Sequence, residues 1–300
     1  MKTIGIIGQG FVGTAVYEGM KHAFDIATYD KKQGITHNKW IHDLQVASVF
    51  NLEYEGKELE YILKVDGPIF VCLPTPMRPD GSCDLSIVTY VIEELNRLAA
   101  GGDKRVVVIK STVVPGTTEK LNAQCENLHV CFNPEFLTER NAIEDFKHQD
   151  RIIVGGPREG TNVLKGMYAT AYPDVPVTKT SSIVAELVKY TTNCFLATKV
   201  AFSNEMAMVC DALNVDYDKV IEYATKDERL GQSHWAVPGP DGKKGFGGSC
   251  FVKDLNALLN LTRELKIDAD VLEGTWTSNI KVRPERDWEQ LVGRAVSETS

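Results

Sequence analysis

The sequence lacks the features that identify membrane-spanning, disulfide-stabilised and zinc-binding proteins. No apolar run approaches the length of a transmembrane helix. The seven cysteines are odd in number and form no CxxC pair, and the six histidines show no HxH or HExxH spacing. We therefore expect no membrane partner, no disulfide framework and no metal site.

Acidic residues also outnumber basic residues. The 300 residues carry a formal net charge of −8, which disfavours nucleic acid as the main partner. Lys2 leads directly into the apolar run Thr3-Ile4-Gly5-Ile6-Ile7, so the start of the sequence is typical of a strand rather than a signal peptide. Together with scattered, reduced thiols, this predicts a cytoplasmic protein.

Short apolar runs alternate with helical stretches over residues 1–178. The runs have the length of buried strands: Ile4–Ile7, Asp25–Tyr29, Ile69–Leu73, Val106–Ile109, Leu128–Phe132, Ile152–Val154 and, more weakly, Val175–Val177. Continuous apolar strands separated by helices are typical of a parallel sheet covered on both faces. Residues 1–178 are therefore predicted to form an α/β domain.

Residues 179–300 are predicted to form a second, all-helical domain. A long and largely apolar helix is predicted over Ile183–Leu213, after the possible capping residues Ser181 and Ser182. A second long helix is predicted from Asp254 to about Lys281.

A glycine motif follows the first predicted strand. The loop comprises Gly8, Gly10, Phe11, Val12 and Gly13, and Asp30 ends the second strand. This context matches the dinucleotide-binding fingerprint of a Rossmann-type domain, in which the glycines form the turn, admit the pyrophosphate and let helix and strand approach. Asp30 would bind the ribose hydroxyls and repel a 2′-phosphate, which favours NAD. The alternative is a structural turn beside a solvated acid.

Two more loops with hydroxyl groups follow predicted strands, Leu73-Pro74-Thr75-Pro76 and Lys110-Ser111-Thr112. Open α/β sheets bind ligands at the carboxyl ends of their strands. Thr75, Ser111 and Thr112 are therefore predicted to line the cofactor cleft, although each loop alone could be an ordinary turn.

Glu135 follows the fifth predicted strand, where it could orient a water or accept a proton; a solvated surface position is the alternative. Lys189 and Asn193 are one turn apart on the first long helix. The lysine could extend to the surface, or it could stabilise negative charge on a substrate oxygen with the asparagine amide as a second donor. These residues alone leave both interpretations open.

Cys250 lies in a glycine-rich loop, GFGGSCFVKD, just before the second predicted helix. The helix N-terminus and Lys253 would favour its thiolate, and the glycines leave room for a substrate. Asp254 could cap the helix or hold a water or Lys189. A structural cysteine would normally have apolar neighbours, so a nucleophile is the favoured interpretation.

A nicotinamide site and a nucleophilic thiol together indicate a four-electron oxidation. Hydride removal converts an alcohol to an aldehyde, which the thiolate traps as a thiohemiacetal. Loss of a second hydride gives a thioester, and water releases the carboxylate. Covalent trapping prevents the aldehyde from escaping.

These motifs resemble the UDP-glucose/GDP-mannose dehydrogenase family. The matching segments, in family order, are GQGFVG, LPTP, KSTVVPGT, NPEFLTERNAIEDF, ELVKYTTNCFLATKVAFSNE, DERLGQSH, VPGPDG and GFGGSCFVKD. The resemblance covers most of residues 1–290. It implies NAD-dependent oxidation of a nucleotide sugar, with UDP-glucose favoured over UDP-N-acetylhexosamines and GDP-mannose.

The resemblance assigns roles to individual residues. Cys250 is similar to the family's thioester-forming nucleophile, and Lys189 and Asn193 are similar to its oxyanion stabilisers. Groups that position water or assist proton transfer match Glu135, Thr112 and Asp254. Residues that line the substrate site match Phe136, Leu137, Glu139, Phe246 and Gly247, and Lys253 falls in the cofactor-binding set.

The resemblance also implies a homodimer. The family's dimer core is similar to the helix over residues 183–213, and Arg229 matches an arginine that reaches into the neighbouring subunit's site.

Three departures from the family pattern limit these assignments. Val252 replaces the usual proline of the Cys-x-Pro-Lys-Asp motif, at a position that we interpret as structural. The segment between Asp30 and Gly67 is short and matches poorly, which leaves further ribose contacts undefined. Typical members continue into a third domain that holds much of the nucleotide. Contacts from the tail, weaker nucleotide binding or a separate chain would each account for that difference.

Two other functions remain open. A two-electron β-hydroxyacid dehydrogenase would share the Rossmann-type domain, the long helix and the lysine, but would need no cysteine. A non-catalytic NAD-binding partner would show no turnover.

Overall fold

In a computed structural model, residues 1–31, 34–37 and 58–298 are described. The chain forms two compact units, one comprising Met1–Pro74 with Leu85–Lys189 and the other Thr75–Asp84 with Tyr190–Ser300. The division falls within a long helix rather than at the boundary predicted between residues 178 and 179.

The first unit contains an eight-stranded sheet. Its strands in chain order are β1 (Thr3–Ile7), β2 (Asp25–Asp30), β3 (Gly34–His37), β4 (Ile69–Val71), β5 (Arg105–Ile109), β6 (Leu128–Phe132), β7 (Ile152–Gly155) and β8 (Val177–Thr180). Their order across the sheet is β3-β2-β1-β4-β5-β6-β7-β8. All neighbouring pairs are parallel except β2 with β3 and β6 with β7.

The described part of this unit contains six helices: α1 (Phe11–Met20), α2 (Glu58–Ile62), α3 (Ser86–Leu98), α4 (Thr117–Gln124), α5 (Ala142–Lys147) and α6 (Arg158–Ala171). Residues of α1, α5 and α6 form one apolar core with the sheet, and residues of α2, α3 and α4 form another. Alternate strand residues enter different cores, as Phe70 and Val71 do. Because helices cover both faces, the strands are apolar throughout, which confirms the predicted α/β class.

The sheet differs from the expectation at its margins. Strand β3 follows β2 closely and pairs with it antiparallel, and β7 contacts β6 antiparallel through one residue pair, Phe132 and Gly155. The last strand is Val177–Thr180 rather than Val175–Val177. Apolar periodicity reports burial but not strand direction, so it could not identify the antiparallel pairs.

The second unit is mostly helical. Its main elements are α7 (Ser182–Ala212), whose first residues belong to the first unit, α8 (Tyr217–Ala224), α9 (Cys250–Glu264) and α10 (Asp270–Val282), with short 3₁₀ helices at Glu228–Leu230 and Asp287–Gln290. A core that includes Tyr190, Val252 and Trp288 joins α7, α9 and α10, whereas α8 packs against the last part of α7 in a separate core. None of the helices in the described ranges has both the length and the apolar character that a membrane crossing requires.

The prediction of one helix from Asp254 to Lys281 is wrong, because α9 ends at Glu264 and α10 begins at Asp270. Lys266 has a φ of 58°. Its N–H donates to the Arg263 carbonyl oxygen, and the Ile267 N–H donates to that of Thr262. This is a Schellman motif, which ends a helix with a left-handed residue. The left-handed residue is usually glycine, so the lysine conceals the helix end in the sequence.

We expect the substitution Lys266→Gly to raise the free energy of unfolding by about 1 kcal/mol, because glycine adopts the left-handed conformation without a Cβ penalty. Urea denaturation measures the effect. The control Glu264→Gly, inside the last helical turn, should lower stability by about the same amount. Equal losses in both variants would contradict a left-handed helix end at Lys266.

Candidate active site

The first unit has a topological switch point at its central strands. From β1 the chain proceeds to β2 on one side, whereas β4 leads to β5 on the other side. The carboxyl ends of β1 and β4 are therefore adjacent, and their outgoing connections diverge. Open α/β sheets bind ligands in the crevice that such a divergence creates.

The glycine loop after β1 has the geometry of a dinucleotide cradle. Gly8 has a φ of 93°, and a Cβ there would lie 2.4 Å from the Cys72 carbonyl oxygen. A Cβ on Gly13 would lie 1.9 Å from the Gly8 carbonyl oxygen, whereas one on Gly10 would meet nothing within 4 Å. Gly8 and Gly13 are thus required for the fold. Gly10 leaves open space at the N-terminus of α1, where a pyrophosphate would be stabilised.

Asp30 lies beside this loop at the end of β2. Its Oδ2 accepts a hydrogen bond of 2.8 Å from the Gln9 N–H. The carboxylate is therefore held next to the glycine turn, where a ribose hydroxyl would meet it. The further ribose contacts considered between Asp30 and Gly67 fall largely on residues 32–33 and 38–57, which lie outside the described residues.

The predicted hydroxyl residues differ in their surroundings. The Ser111 hydroxyl accepts a hydrogen bond from the Leu73 N–H (2.9 Å) and donates to the Leu73 carbonyl oxygen (2.6 Å). Ser111 thus ties the loop after β5 to the loop after β4. Thr112, the next residue in the chain, is buried. Thr75 is also buried and belongs to the second unit.

Lys189 and Glu135 form a buried ion pair. The ammonium of Lys189 in α7 donates to Glu135 Oε1 (2.7 Å) and to the Glu135 carbonyl oxygen (2.6 Å). The side chains are only 3% and 6% exposed, so the interpretations of Lys189 as a surface-reaching lysine and of Glu135 as a solvated glutamate are both wrong. Glu135 also accepts from the Leu137 N–H at 2.9 Å, which fixes the turn after β6.

The residues after Glu135 form a partly exposed segment. The Phe136 ring packs against the Arg151 guanidinium, 4.5 Å from its centroid, and the Lys189 ammonium lies 5.9 Å from the same centroid. Leu137 is half-buried and Glu139 is exposed. This segment presents main chain and a flat ring beside a buried charge pair, as a sugar-binding surface would.

A second buried lysine was not anticipated. Lys110, at the end of β5, donates to Asn133 Oδ1 (3.0 Å) and more weakly to the Pro134 carbonyl oxygen (3.4 Å). The Tyr168 hydroxyl donates to the same Oδ1 at 2.5 Å. Lysine directly after an apolar strand was the available signal, since such a charge needs buried acceptors.

A buried glutamate in α7 was also missed. Glu186 is fully buried, and its carboxylate accepts from the main-chain N–H groups of Gly116 (2.7 Å) and Thr118 (2.9 Å). These groups lie at the start of α4, where a helix N-terminus favours an anion. Glu186 thereby fixes the loop that follows Thr112.

In the second unit, Cys250 is the first residue of α9 rather than a residue before the helix. Its thiol is partly exposed and lies 3.9 Å from the Ser249 hydroxyl. Position at a helix N-terminus favours the thiolate form. Val252, which replaces the family's proline, is fully buried in the core, in keeping with the structural role expected for it.

Three polar residues adjoin the cysteine in the same unit. Asp254 accepts hydrogen bonds from Lys253 Nζ (2.5 Å) and from Asn193 Nδ2 (2.6 Å), and both carboxylate oxygens are thereby engaged. Burial alone would lower the pKa of Lys253, but attraction to Asp254 and to the thiols of Cys250 and Cys83 raises it above its usual range. Lys253 therefore remains a cation close to Cys250.

The remaining predicted residues of this unit differ in exposure. Phe246 is buried, and its ring packs edge-on against Phe251 with 6.1 Å between centroids. Arg229 is 88% exposed and pairs with Asp227 through two nitrogens. The exposure of Arg229 is compatible with its expected role toward a neighbouring subunit.

Comparison with known proteins relates the chain to one family over most of its length. Residues 2–172 match the NAD binding domain of the UDP-glucose/GDP-mannose dehydrogenase family, and residues 183–281 match its central domain. A UDP-glucose 6-dehydrogenase of Rickettsia bellii is 33% identical over 300 residues, covering 94% of this chain and 67% of the relative. Another, from Rickettsia typhi, is 38% identical over 72% of this chain and 49% of its own length. The chain thus spans between half and two thirds of these relatives.

Solved structures agree with this fold. A UDP-glucose dehydrogenase from Pyrobaculum islandicum superposes with a TM-score of 0.78 at 29% identity, covering 94% of this chain and 68% of the other. The 3-hydroxyisobutyrate dehydrogenase of Mycobacterium tuberculosis superposes with a TM-score of 0.70 at 16% identity and covers 95% of both chains. At that identity the second likeness concerns the fold alone.

Lys110 predicts a specific pH dependence of stability. Burial lowers the pKa of Lys110 from 10.5 to about 8, and repulsion by Lys189 adds to this effect. Attraction to Cys72 and Glu135 offsets it in part. Between these values the unfolded chain binds a proton that the folded chain lacks, so Lys110 makes stability rise with pH in that window. We expect the free energy of unfolding to rise by roughly 2 kcal/mol more between about pH 8 and pH 10 in the wild type than in Lys110→Met.

Urea denaturation at the two pH values measures this difference. The control Lys120→Met removes an exposed lysine and should keep the wild-type profile. Parallel profiles for the wild type and Lys110→Met would show that the Lys110 pKa is not lowered by folding.

Proposed function

The chain belongs to the UDP-glucose/GDP-mannose dehydrogenase family, and we propose that it oxidises the primary alcohol of a nucleotide sugar to a carboxylate. UDP-glucose is the favoured substrate, because the curated relatives and the structure from Pyrobaculum islandicum bear its name. The observation that carries the proposal is the position of Cys250, a partly exposed cysteine at a helix N-terminus beside the half-buried cation of Lys253.

The glycine cradle after β1 is the proposed cofactor site. Gly10 leaves space at the start of α1, and Asp30 supplies a carboxylate for the ribose. NAD held there would supply the hydride acceptor for each of the two oxidations. Thr75, Thr112 and Lys253 are the further residues that we assign to cofactor contacts, whereas the Ser111 hydroxyl, already bonded to Leu73, would position the loop.

The first oxidation needs a base and a group that stabilises the oxygen. We assign the second role to Lys189 and Asn193, one helical turn apart in α7. Each is already oriented by a carboxylate, Lys189 by Glu135 and Asn193 by Asp254. Donors fixed in this way stabilise developing negative charge without reorganisation. The alcohol proton passes to a carboxylate or to ordered water.

The Cys250 thiolate then attacks the aldehyde carbon, and the resulting oxyanion takes up a proton as the thiohemiacetal forms. Transfer of a second hydride from this carbon to a second NAD, with release of the hydroxyl proton, would give a thioester on Cys250. Water adds to the thioester and the carbon–sulfur bond breaks. The carboxylate product is released, and the Cys250 thiol is regenerated. Glu135, Asp254 and Thr112 are the proposed groups that orient this water and carry its proton.

A sugar-binding role is proposed for two segments. Phe136 and Leu137, with Glu139, offer an aromatic face and main-chain groups after β6. Phe246 and Gly247 belong to the loop that leads into Cys250. We propose that they contact the sugar, as the matching family positions do.

NADH yield with a panel of nucleotide sugars tests the function. We expect two NADH per molecule of UDP-glucose and formation of the acid in the wild type. The variant Cys250→Ala should form no acid and at most one NADH per sugar, because the thiohemiacetal cannot form. The control Cys125→Ala alters a buried cysteine of the first unit and should keep the two-NADH yield.

Other outcomes separate the alternatives. One NADH per substrate, unchanged in Cys250→Ala, would indicate a two-electron dehydrogenase and refute the thioester. NAD binding without turnover on any sugar would indicate a non-catalytic protein. Two NADH from a UDP-N-acetylhexosamine or GDP-mannose alone would retain the mechanism and correct the substrate.

We also propose that the active form is a homodimer joined through α7. Large apolar side chains at seven-residue spacing lie exposed on one side of this helix: Phe195, Phe202 and Val209, at 67%, 52% and 48%. Residues at this spacing share one face of a helix. They therefore form an exposed apolar stripe rather than single apolar residues scattered over the surface. A second copy would cover it and bring the exposed Arg229 to the partner's site.

The substitution Phe202→Glu should convert the dimer to a monomer, because a buried charge would face the partner helix. Light scattering after size exclusion measures the molar mass. The control Tyr90→Glu changes another exposed aromatic, on α3, and should leave the mass unchanged. A wild-type protein with the mass of one chain would contradict the dimer.

A further inference from the structure

Asn279 of α10 and Arg283, which follows the last residue of this helix, hold the loop that leads into Cys250. Asn279 and Arg283 are one helical turn apart, and their side chains are 0% and 2% exposed. Neither is one of the residues assigned above to substrate or cofactor. Their polar groups are directed at the glycine-rich segment between Asp241 and Ser249.

Asn279 pairs with the main chain of Phe246 in both directions. Its Oδ1 accepts from the Phe246 N–H at 2.7 Å, and its Nδ2 donates to the Phe246 carbonyl oxygen at 3.0 Å. This is the pattern that a neighbouring strand would supply. The segment has no strand partner in the described structure, and a second amide, Asn204, binds the adjacent Gly245 N–H at 3.2 Å.

Arg283 binds the same segment through its buried guanidinium. Its Nη2 contacts Asp241 Oδ2 and Asp287 Oδ2, both at 2.7 Å, and its Nε contacts Asp287 Oδ1 at 2.8 Å. A longer bond of 3.5 Å reaches the Lys244 carbonyl oxygen. One guanidinium thus joins the first part of the loop to the residues after α10. Planar, multidentate pairing of this kind restricts orientation strongly.

The glycines of the loop are explained by these two side chains. A Cβ on Gly245 would lie 2.4 Å from Asn279 Oδ1, and one on Gly247 would lie 2.4 Å from Arg283 Nη2. The loop therefore lacks side chains where it touches α10. The glycines do not leave the loop loose, because the asparagine and arginine occupy the space beside the main chain.

We propose that Asn279 and Arg283 are positioning residues that fix the main chain before Cys250 and so set the place of its thiol. The proposal rests on the assigned role of Cys250 as the nucleophile. Cys250 is only four positions after Phe246 in the sequence, so a shift at Phe246 is transmitted to the start of α9. Misplacement of a reacting group by about 1 Å can cost roughly 10²-fold in rate.

A purely structural role makes a different prediction. Both residues are buried and polar, so any substitution will lower stability to some extent. If they only stabilise the second unit, loss of activity should follow loss of folded protein. If they position the thiol, the reactivity of Cys250 should fall in protein that is still folded.

The test uses near-isosteric changes in the full chain. Asn279→Asp replaces the Nδ2 donor with an oxygen that faces the Phe246 carbonyl, and Arg283→Lys keeps the charge but loses the fork. The control Ser278→Ala removes a buried hydrogen bond of the same helix, from Ser278 to Glu205 at 2.9 Å, without touching the loop. Three quantities are measured at a temperature where each variant is folded: kcat, KM, and the rate of Cys250 alkylation by iodoacetamide, followed by peptide mass spectrometry.

We expect Asn279→Asp to lower kcat by about 10²-fold and Arg283→Lys by about tenfold, with smaller changes in KM. Alkylation of Cys250 should slow severalfold in both variants and remain at the wild-type rate in Ser278→Ala. Variants that lose thermal stability but keep wild-type kcat and alkylation rate would overturn the proposal. If Asn279→Asp does not fold, the result for Arg283→Lys decides.

The two proposals fail in distinguishable ways. Absence of turnover in the wild type would refute the proposed function, yet the alkylation rates would still report whether the loop sets the thiol. Normal wild-type turnover with unaffected variants would refute only the positioning role.

Discussion

The ion pair between Lys189 and Glu135 is the interaction on which the candidate site of the first unit depends. Burying both charges costs each of them several kcal/mol of hydration, and removing one partner would cost about 3–5 kcal/mol. Two apolar residues of similar volume would be at least as stable. The pair therefore has little value for stability alone. Its effect is to hold a cation and a carboxylate in a fixed, dry orientation, between α7 and the turn after β6, where charge can be stabilised without reorganisation.

The same principle extends to the loops, whose main-chain groups are bound by side chains. Asp30 binds the glycine turn, Ser111 binds Leu73, Glu186 binds the start of α4, and Asn279 binds the loop before Cys250. Each such bond contributes only about 1 kcal/mol to stability. Their greater effect is geometric, because loops without regular secondary structure acquire a defined main chain. A site that must place a hydride donor and a nucleophile needs this definition, since loops are otherwise the more mobile parts of a fold.

The burial of strands and helices was predictable from the sequence, whereas the hydrogen-bond and ion-pair partners of polar side chains were not. Apolar runs of strand length predicted the parallel sheet, and the apolar stretch over Ile183–Leu213 predicted α7. Both predictions were possible because apolar patterns indicate which faces of an element are buried. The end of α9 was missed because a lysine adopts the left-handed conformation that usually calls for glycine. The partner of Lys189 was missed for another reason. Glu135 lies 54 residues away in sequence, and only the fold brings the turn after β6 to α7.

The cysteines show how position decides chemistry within one chain. Burial raises the pKa of Cys72 and Cys131 to about 12 and that of Cys83 to about 11, although Lys110 and Lys253 partly offset it at Cys72 and Cys83. Thiols held neutral in this way neither attack carbonyls nor react readily with oxidants. Cys250 differs in being partly exposed, at the first position of a helix, with a lysine whose charge it helps to stabilise. Lys253 therefore remains protonated beside Cys250. Cys72 and Cys131 are buried, so a nucleophile at either position would also need a path for the substrate.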